Sequence, residues 1–173
     1  MVKRELGIWR RLDHKNVVPF LGTATGFGLS GSVALVSLWM VNGTLQKFLE
    51  GYDGKLAIAH RLELLLGIAN GLVYIHAFPI IHGDLNSNNV LIDETFTACL
   101  ADFGYASVVG EMEQKLGYLQ ASKQRPGALR WAAPEQFPSD PEQPWQPTPI
   151  TDIYSFGNIA LQESHSSQHP ALL

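Results

Sequence analysis

The sequence is poor in several residue types, and each shortage excludes something. Cys99 is the one cysteine among 173 residues, which rules out an internal disulfide framework and a cysteine-built zinc site and fits a reducing compartment. Charged residues make up 16%, against roughly 25% in an average soluble domain. Twelve basic and sixteen acidic residues leave a net charge of −4, so a generic nucleic-acid binder is not expected. No lysine or arginine follows Arg130: residues 131–173 carry five acids, while residues 1–130 carry all twelve bases and eleven acids. The most apolar stretch, Leu64 to Ile81, is broken by Asn70, His76 and Pro79; it reads as a buried helix followed by a turn, and no membrane insertion is expected. Lys3, Arg4 and Glu5 meet no apolar run, so no signal peptide is expected either. A cytoplasmic location follows as the expectation.

What is present is enough for one domain with a core, since 46% of residues are hydrophobic. Arg4 to Leu12 reads as a helix. Val17 to Leu21 and Val33 to Leu38 read as strands from their β-branched and apolar content, joined by a glycine-rich connection from Thr23 to Ser32. Asn42-Gly43 marks a turn, and Thr44 is a candidate cap for a short helix through Leu49. Leu56 to His76 is the strongest helix; Ile58, Leu62, Leu65, Leu66, Ala69, Leu72 and Val73 recur at helical spacing and define the expected buried face. Asn89 to Ile92 and Ala98 to Ala101 are short strands joined by a turn near Asp93-Glu94. Gly110 to Gly127 reads as a mobile loop. Pro138 to Pro149 contains five prolines and excludes regular structure. Asp152 to Gln162 reads as a short apolar helix, followed by a frayed polar tail from Ser164 to Leu173.

Chemistry concentrates in two places. The segment His82-Gly83-Asp84-Leu85-Asn86-Ser87-Asn88-Asn89 lies just before one strand, and Ala101-Asp102-Phe103-Gly104 just after the next. Phosphoryl transfer needs a group that orients the nucleophile and oxygen ligands that hold Mg²⁺ on the phosphates. Asp84 can accept the proton of a substrate hydroxyl. Asn89 can offer a carbonyl oxygen and Asp102 a carboxylate to Mg²⁺, a hard cation that keeps phosphate and water in the rest of its shell. A hairpin of two short strands would bring all three to one cleft.

With the HxDxxxxN segment, the Asp-Phe-Gly triplet and Ala133-Pro134-Glu135 in this order, the chain resembles a eukaryotic protein kinase domain. Arg130-Trp131 before Ala-Ala-Pro-Glu is similar to the tyrosine-kinase-like group. The resemblance implies an α+β, protein-kinase-like fold over residues 1–163, with an irregular tail at 164–173. Residues 1–41 would form a partial small lobe (helix C, strands 4 and 5 of the family, and the hinge), and residues 42–163 a partial, mainly helical large lobe through helix F. It further implies ATP and Mg²⁺ as cofactors, a protein substrate, Asn89 and Asp102 as the metal ligands, and Leu38, Met40, Leu91 and Asp102 at the nucleotide, with Ser37 as the gatekeeper. Glu5 looks like the helix C glutamate. Trp9, Phe20, His82 and Phe103 fall at positions of the hydrophobic spine that links the lobes, and Asp152 looks like the helix F aspartate that anchors it. His82 is expected to be structural, and Cys99 an inert buried thiol.

The departures matter as well. No Val-Ala-x-Lys strand precedes Glu5, and that lysine normally binds the α and β phosphates. Weak or no turnover is therefore expected of this chain. Gly26 to Val33 matches a nucleotide-covering glycine string, but its register makes it the hairpin between strands 4 and 5. Gly83 replaces the arginine that usually precedes the catalytic aspartate, which also fits a small-molecule phosphotransferase of the aminoglycoside or choline kinase type. A non-catalytic binding module is the third reading. Glu135 pairs with an arginine in the family, and with no base after Arg130 it is expected to be an unpaired buried charge, costing about 3–5 kcal/mol.

Overall fold

The computed structural model describes residues 2–27, 33–52, 55–108, 131–136 and 148–165. The expected Gly110–Gly127 loop lies outside these residues, as does most of the proline-rich segment. Helix α1 (Val2–Trp9) leads to a two-stranded antiparallel sheet of β1 (Phe20–Thr25) and β2 (Val33–Ser37). Helices α2 (Leu45–Tyr52) and α3 (Ile58–Ala77) follow. Strand β3 (Ile80–Ile81) pairs with β6 (Ser107–Val108), and β4 (Val90–Ile92) with β5 (Ala98–Leu100), both antiparallel. Short 3-10 turns cover Phe103–Tyr105 and Pro134–Gln136, and α4 (Pro149–His165) comes last. This is an α+β chain with small sheets and helices.

Local chemistry explains several boundaries. Thr44 caps α2 as expected, its Oγ1 accepting from Lys47 N at 3.3 Å. Strand β1 starts at Phe20 rather than Val17, and runs on through Thr25 into the expected connection. Val17 instead bridges Leu100 in parallel, and Val18 N donates to Leu100 O at 2.9 Å, so the segment before β1 is pinned to β5 and not to β2. Helix α1 ends at Trp9, short of Leu12. Helix α4 begins at Pro149, where proline's missing N–H costs nothing, and runs through Ser164 to His165; the irregular tail therefore does not start at Ser164.

Helix α3 organises the core. Leu64, Ile68, Leu72 and Ile75 are at most 3% exposed and face β5. Two glycines let the backbones meet: a Cβ on Gly71 would lie 2.7 Å from Asn16 O and 2.9 Å from Leu100 Cγ, and one on Gly67 3.0 Å from Asn16 Nδ2. The expected buried stripe is overturned in part: Leu72 is buried and Leu65 packs against the core, as expected. Ile58, Leu62, Leu66 and Val73 are 77%, 59%, 60% and 71% exposed, and the buried face is rotated from them by about a third of a turn. An all-round apolar helix offers periodicity two faces; the close approach at Gly67 and Gly71 selects one. At 20 residues α3 is long and apolar enough to cross a membrane, but its packing against β5 and α4 is that of a core helix.

Arg61, on the same buried face, reaches α4. Its guanidinium donates to Glu163 O at 2.9 Å and contacts Glu163 Oε2 at 3.4 Å, both side chains being nearly inaccessible. Burial pushes the Glu163 carboxyl up to about 7, more than Arg61 can offset. Glu135, by contrast, is exposed on its 3-10 turn. The expected buried-charge penalty does not arise, because water solvates that carboxylate.

Two outcomes follow for stability. Gly71→Ala should lower unfolding free energy by roughly 1–3 kcal/mol in urea titrations, because the obstructing atoms include backbone. Gly157→Ala, in α4 with open space around it, should raise it by up to about 1 kcal/mol. A raised carboxyl pKa means that the folded chain holds the proton longer than the unfolded one. Stability should therefore fall as pH rises from about 4.5 to about 7, by an amount on the order of 2–3 kcal/mol. Glu163→Gln should flatten that slope.

Candidate active site

The β4–β5 hairpin carries the site. Its register pairs Val90 with Leu100 and Ile92 with Ala98, so Asn89, before β4, and Asp102, after β5, emerge at the same end. Ala101 N donates to Asn89 O at 2.9 Å and closes that end. Asn89 Nδ2 donates to Asp84 O at 2.7 Å and to Asp84 Oδ2 at 3.1 Å. Asn86 Nδ2 also donates to Asp84 O, at 2.9 Å. Asp84, Asn89 and Asp102 are thus brought together by one hairpin and one loop, and with Asn89 Nδ2 committed to Asp84, its Oδ1 is the atom left for a cation. Asp102 sits in the left-handed region, φ 60° and ψ 72°, and its Oδ1 accepts from Gly104 N at 3.3 Å. A left-handed aspartate is uncommon, and a local side-chain hydrogen bond is what makes it tolerable.

Glu5 is held near this carboxylate by α1. Burial raises its pKa, and the charge of Asp102 raises it further. A carboxylate and an amide carbonyl leaving the same end of the hairpin, at Asp102 and Asn89, are the kinds of oxygen donor that a hard divalent cation takes. Among the described residues no three of His, Cys, Asp and Glu converge into a closed metal cage, and an Mg²⁺ ion that shares its shell with phosphate needs none.

A run of rings supports the site from below. Phe20 lies 5.4 Å from Trp9, Trp9 6.3 Å from Phe103, and Phe103 5.4 Å from His82, between ring centroids. Trp9 Nε1 donates to Val18 O at 2.6 Å. His82 is fully buried, and its Nε2 lies 2.9 Å from Ala101 O, which ties the loop to the hairpin. The run ends at Asp152 of α4, whose carboxylate accepts from His82 N at 2.8 Å and Gly83 N at 3.0 Å. Gly83 has φ +78°, and a Cβ there would lie 3.0 Å from Tyr105 O, so the residue usual in the family could not enter this backbone without strain.

On the hinge side, Met40 is buried, Leu38 is half exposed and Leu91 packs partly against the core. Asn42 N donates to Ile92 O and Ile92 N to Gly43 O, so the segment after Met40 is tied to β4 by two backbone hydrogen bonds. Ser155 Oγ donates to Trp131 O at 2.9 Å, which seats the segment before Glu135 on α4. Cys99 is buried, and burial chiefly pushes its thiol up to about 12, so it carries no thiolate chemistry.

Sequence reasoning missed two contributors. His76 Nε2 lies 2.9 Å from Asp152 Oδ2, completing the shell of that carboxylate. Gln46 Oε1 accepts from Ser87 Oγ at 2.9 Å and Gln162 Nε2 at 2.6 Å, joining α2, the Asp84 loop and α4. The partners are far apart in sequence, and neither residue stands out by type, so no local signal could have found them.

Replacing Asp152 by asparagine preserves volume but removes one acceptor. The substitution should cost about 1–3 kcal/mol in chemical denaturation. Hydrogen exchange should show the His82 and Gly83 amides opening faster than the β4–β5 amides.

The protein tyrosine and serine/threonine kinase family model matches residues 1–170. A probable leucine-rich repeat receptor-like protein kinase of Arabidopsis thaliana is 36% identical over 164 residues, covering 92% of this chain and 16% of that protein. A probable serine/threonine-protein kinase of Dictyostelium discoideum is 32% identical over 172 residues, 98% of this chain and 15% of its own length. The calmodulin-binding receptor-like cytoplasmic kinase 1 of Arabidopsis thaliana is 31% identical over 164 residues, 92% of this chain and 33% of its own length. The chain thus spans between 15% and 33% of the length of these relatives. With the hairpin, the Asp84 loop and the ring stack already in place, the match over almost every residue leads to one conclusion: the chain belongs to the protein kinase family.

Proposed function

We propose that this domain, of the tyrosine-kinase-like group, transfers the γ-phosphate of ATP to a serine, threonine or tyrosine hydroxyl of a protein substrate. The observation that carries the reading is the convergence of Asp84, Asn89 and Asp102 at one end of the β4–β5 hairpin, closed by the Ala101 N to Asn89 O bond. In this reading Asp84 orients the acceptor hydroxyl and takes its proton. Asn89 Oδ1 and the Asp102 carboxylate hold Mg²⁺, which when bound neutralises phosphate charge. Leu38 and Met40 offer backbone groups to the adenine edge, and Leu91 forms its floor. His82, Phe103 and Asp152 keep the loop in place and touch neither substrate. The Arg130-Trp131 pair before Ala133-Pro134-Glu135 supports the group assignment, and the buried, unreactive Cys99 suits a cytoplasmic setting.

These 173 residues contain no Val-Ala-x-Lys strand ahead of Glu5. On their own they are proposed to bind Mg-nucleotide and to turn it over slowly or not at all. The small-molecule phosphotransferase reading rests on the His82-Gly83-Asp84 to Asn89 string and the later Asp102, with Gly83 its distinguishing residue; the kinase relatives and the Ala133-Pro134-Glu135 segment weigh against it.

Calorimetric titration with a non-hydrolysable ATP analogue tests this. Binding should require Mg²⁺ and weaken at least about tenfold in Asp102→Asn. Asp84→Asn should leave binding within a few-fold and remove any residual phosphoryl transfer to a protein. Mg²⁺-independent binding, or an unchanged affinity in Asp102→Asn, would overturn the assignment. Transfer to aminoglycosides or choline but to no protein would replace it with the small-molecule reading.

A further inference from the structure

We propose that a second pocket, at the turn end of the β4–β5 hairpin, binds a small aromatic carboxylate. The cavity, about 540 Å³, lies between α2, α3 and residues 95–98, in the size range of small-ligand sites. Asn89 and Asp102 leave the hairpin at its other end, so this pocket is separate from the proposed nucleotide site.

Its walls are aromatic. Phe48 is buried, with Tyr52 4.7 Å and Phe96 5.8 Å from its ring centroid. Phe96 is the least expected of the three. It occupies a turn position at φ 63° and remains 53% exposed. Asparagine or glycine would take that backbone more readily, and little burial compensates the phenylalanine. A flat ligand lying against Phe48 and Phe96 would supply the missing contact, with offset or tilted ring packing.

The polar groups set the rest of the ligand. Lys15 and Lys55 line the pocket and are exposed, and among the described residues neither has a carboxylate within ion-pair distance. Glu63 is the one carboxylate among the described lining residues, with His60 also on α3, while the neighbouring Asp93 spends its Oδ1 on Thr95 N, Thr95 Oγ1 and Thr97 N. The balance favours a single negative charge on the ligand and disfavours a multiply charged anion, which Glu63 would repel. Asn16 is 2% exposed and lines the same pocket. Its Nδ2 donates to Ala98 O at 2.9 Å, while its Oδ1 has no hydrogen-bond partner among the described residues. That oxygen has no accessible surface of its own, so it lies behind the pocket wall and does not meet the ligand.

The probe is 6-hydroxy-2-naphthoate, titrated into the full chain and followed by its own fluorescence and by saturation-transfer NMR. Saturable one-site binding is expected, with Kd in the range of roughly 0.01–1 mM. Phe96→Asn, which suits the left-handed backbone, should weaken it at least about tenfold. The Lys15→Glu/Lys55→Glu double variant should do the same, as should replacing the probe by its neutral carboxamide. All four replaced or reversed groups are exposed or on the probe, and thermal melts should show the variants folded. Adding Mg-ATP should leave the affinity unchanged, so the result stands whether or not the nucleotide site functions. Absence of saturable binding at several-millimolar probe, equal affinity for the carboxamide, or unchanged affinity in the folded variants would each overturn the proposal.

Discussion

The carboxylate of Asp152 is the fixed point on which the candidate site depends. It is 1% exposed and accepts from two successive backbone N–H groups, those of His82 and Gly83, and it contacts His76 Nε2. A buried carboxylate is tolerable only when its lone pairs are satisfied, and here each partner comes from a segment that must be held: the end of α3 and the start of the Asp84 loop. One group on α4 thereby sets where the loop begins. The left-handed backbone at Gly83 then turns the chain so that Asp84 faces Asn89.

From that point the constraints pass through short contacts. His82 bonds Ala101 O, and Ala101 N bonds Asn89 O, so the loop and both ends of the β4–β5 hairpin form one hydrogen-bonded unit. The rings of His82, Phe103, Trp9 and Phe20 continue it into α1 and β1. Contact between the sheet of β1 and β2 and the helical part of the chain therefore includes packed aromatic rings, which have few rotamers. Glu5 rides on the same helix as Trp9, and burial there chiefly raises its pKa, with the charge of Asp102 adding to the effect. The site concentrates negative charge, which a divalent cation would relieve.

Much of the site was legible because its residues are sequence-local. Asp84 and Asn89 are five apart in one loop, and Asp102 follows directly on a short strand whose partner precedes it by one turn. Hairpin pairing of two short strands is a local event, so placing Asn89 beside Asp102 needed no knowledge of the rest of the chain. The ring stack was legible only through resemblance to a family, since aromatic residues at positions 9, 20 and 103 share no local pattern. Glu135 was misjudged because whether a charge is buried is a property of the surface around it, and the structure leaves it exposed. His76 and Gln46 were not seen at all, as their partners lie 76 and 116 residues away in sequence.

By itself the sequence determined the family, the order of the helices and of four of the six described strands, and the hairpin that gathers the acidic and amide groups, because residue type, turn signals and period-two pairing are local; the two-residue strands β3 and β6 carry too little pattern to be read. Only the tertiary structure decided which side of α3 is buried. That helix is apolar around most of its circumference, so hydrophobicity favours no one face. Gly67 and Gly71 select the face by allowing the backbone within van der Waals contact of Asn16 and Leu100. The face about a third of a turn away, with Ile58, Leu62, Leu66 and Val73, is left exposed.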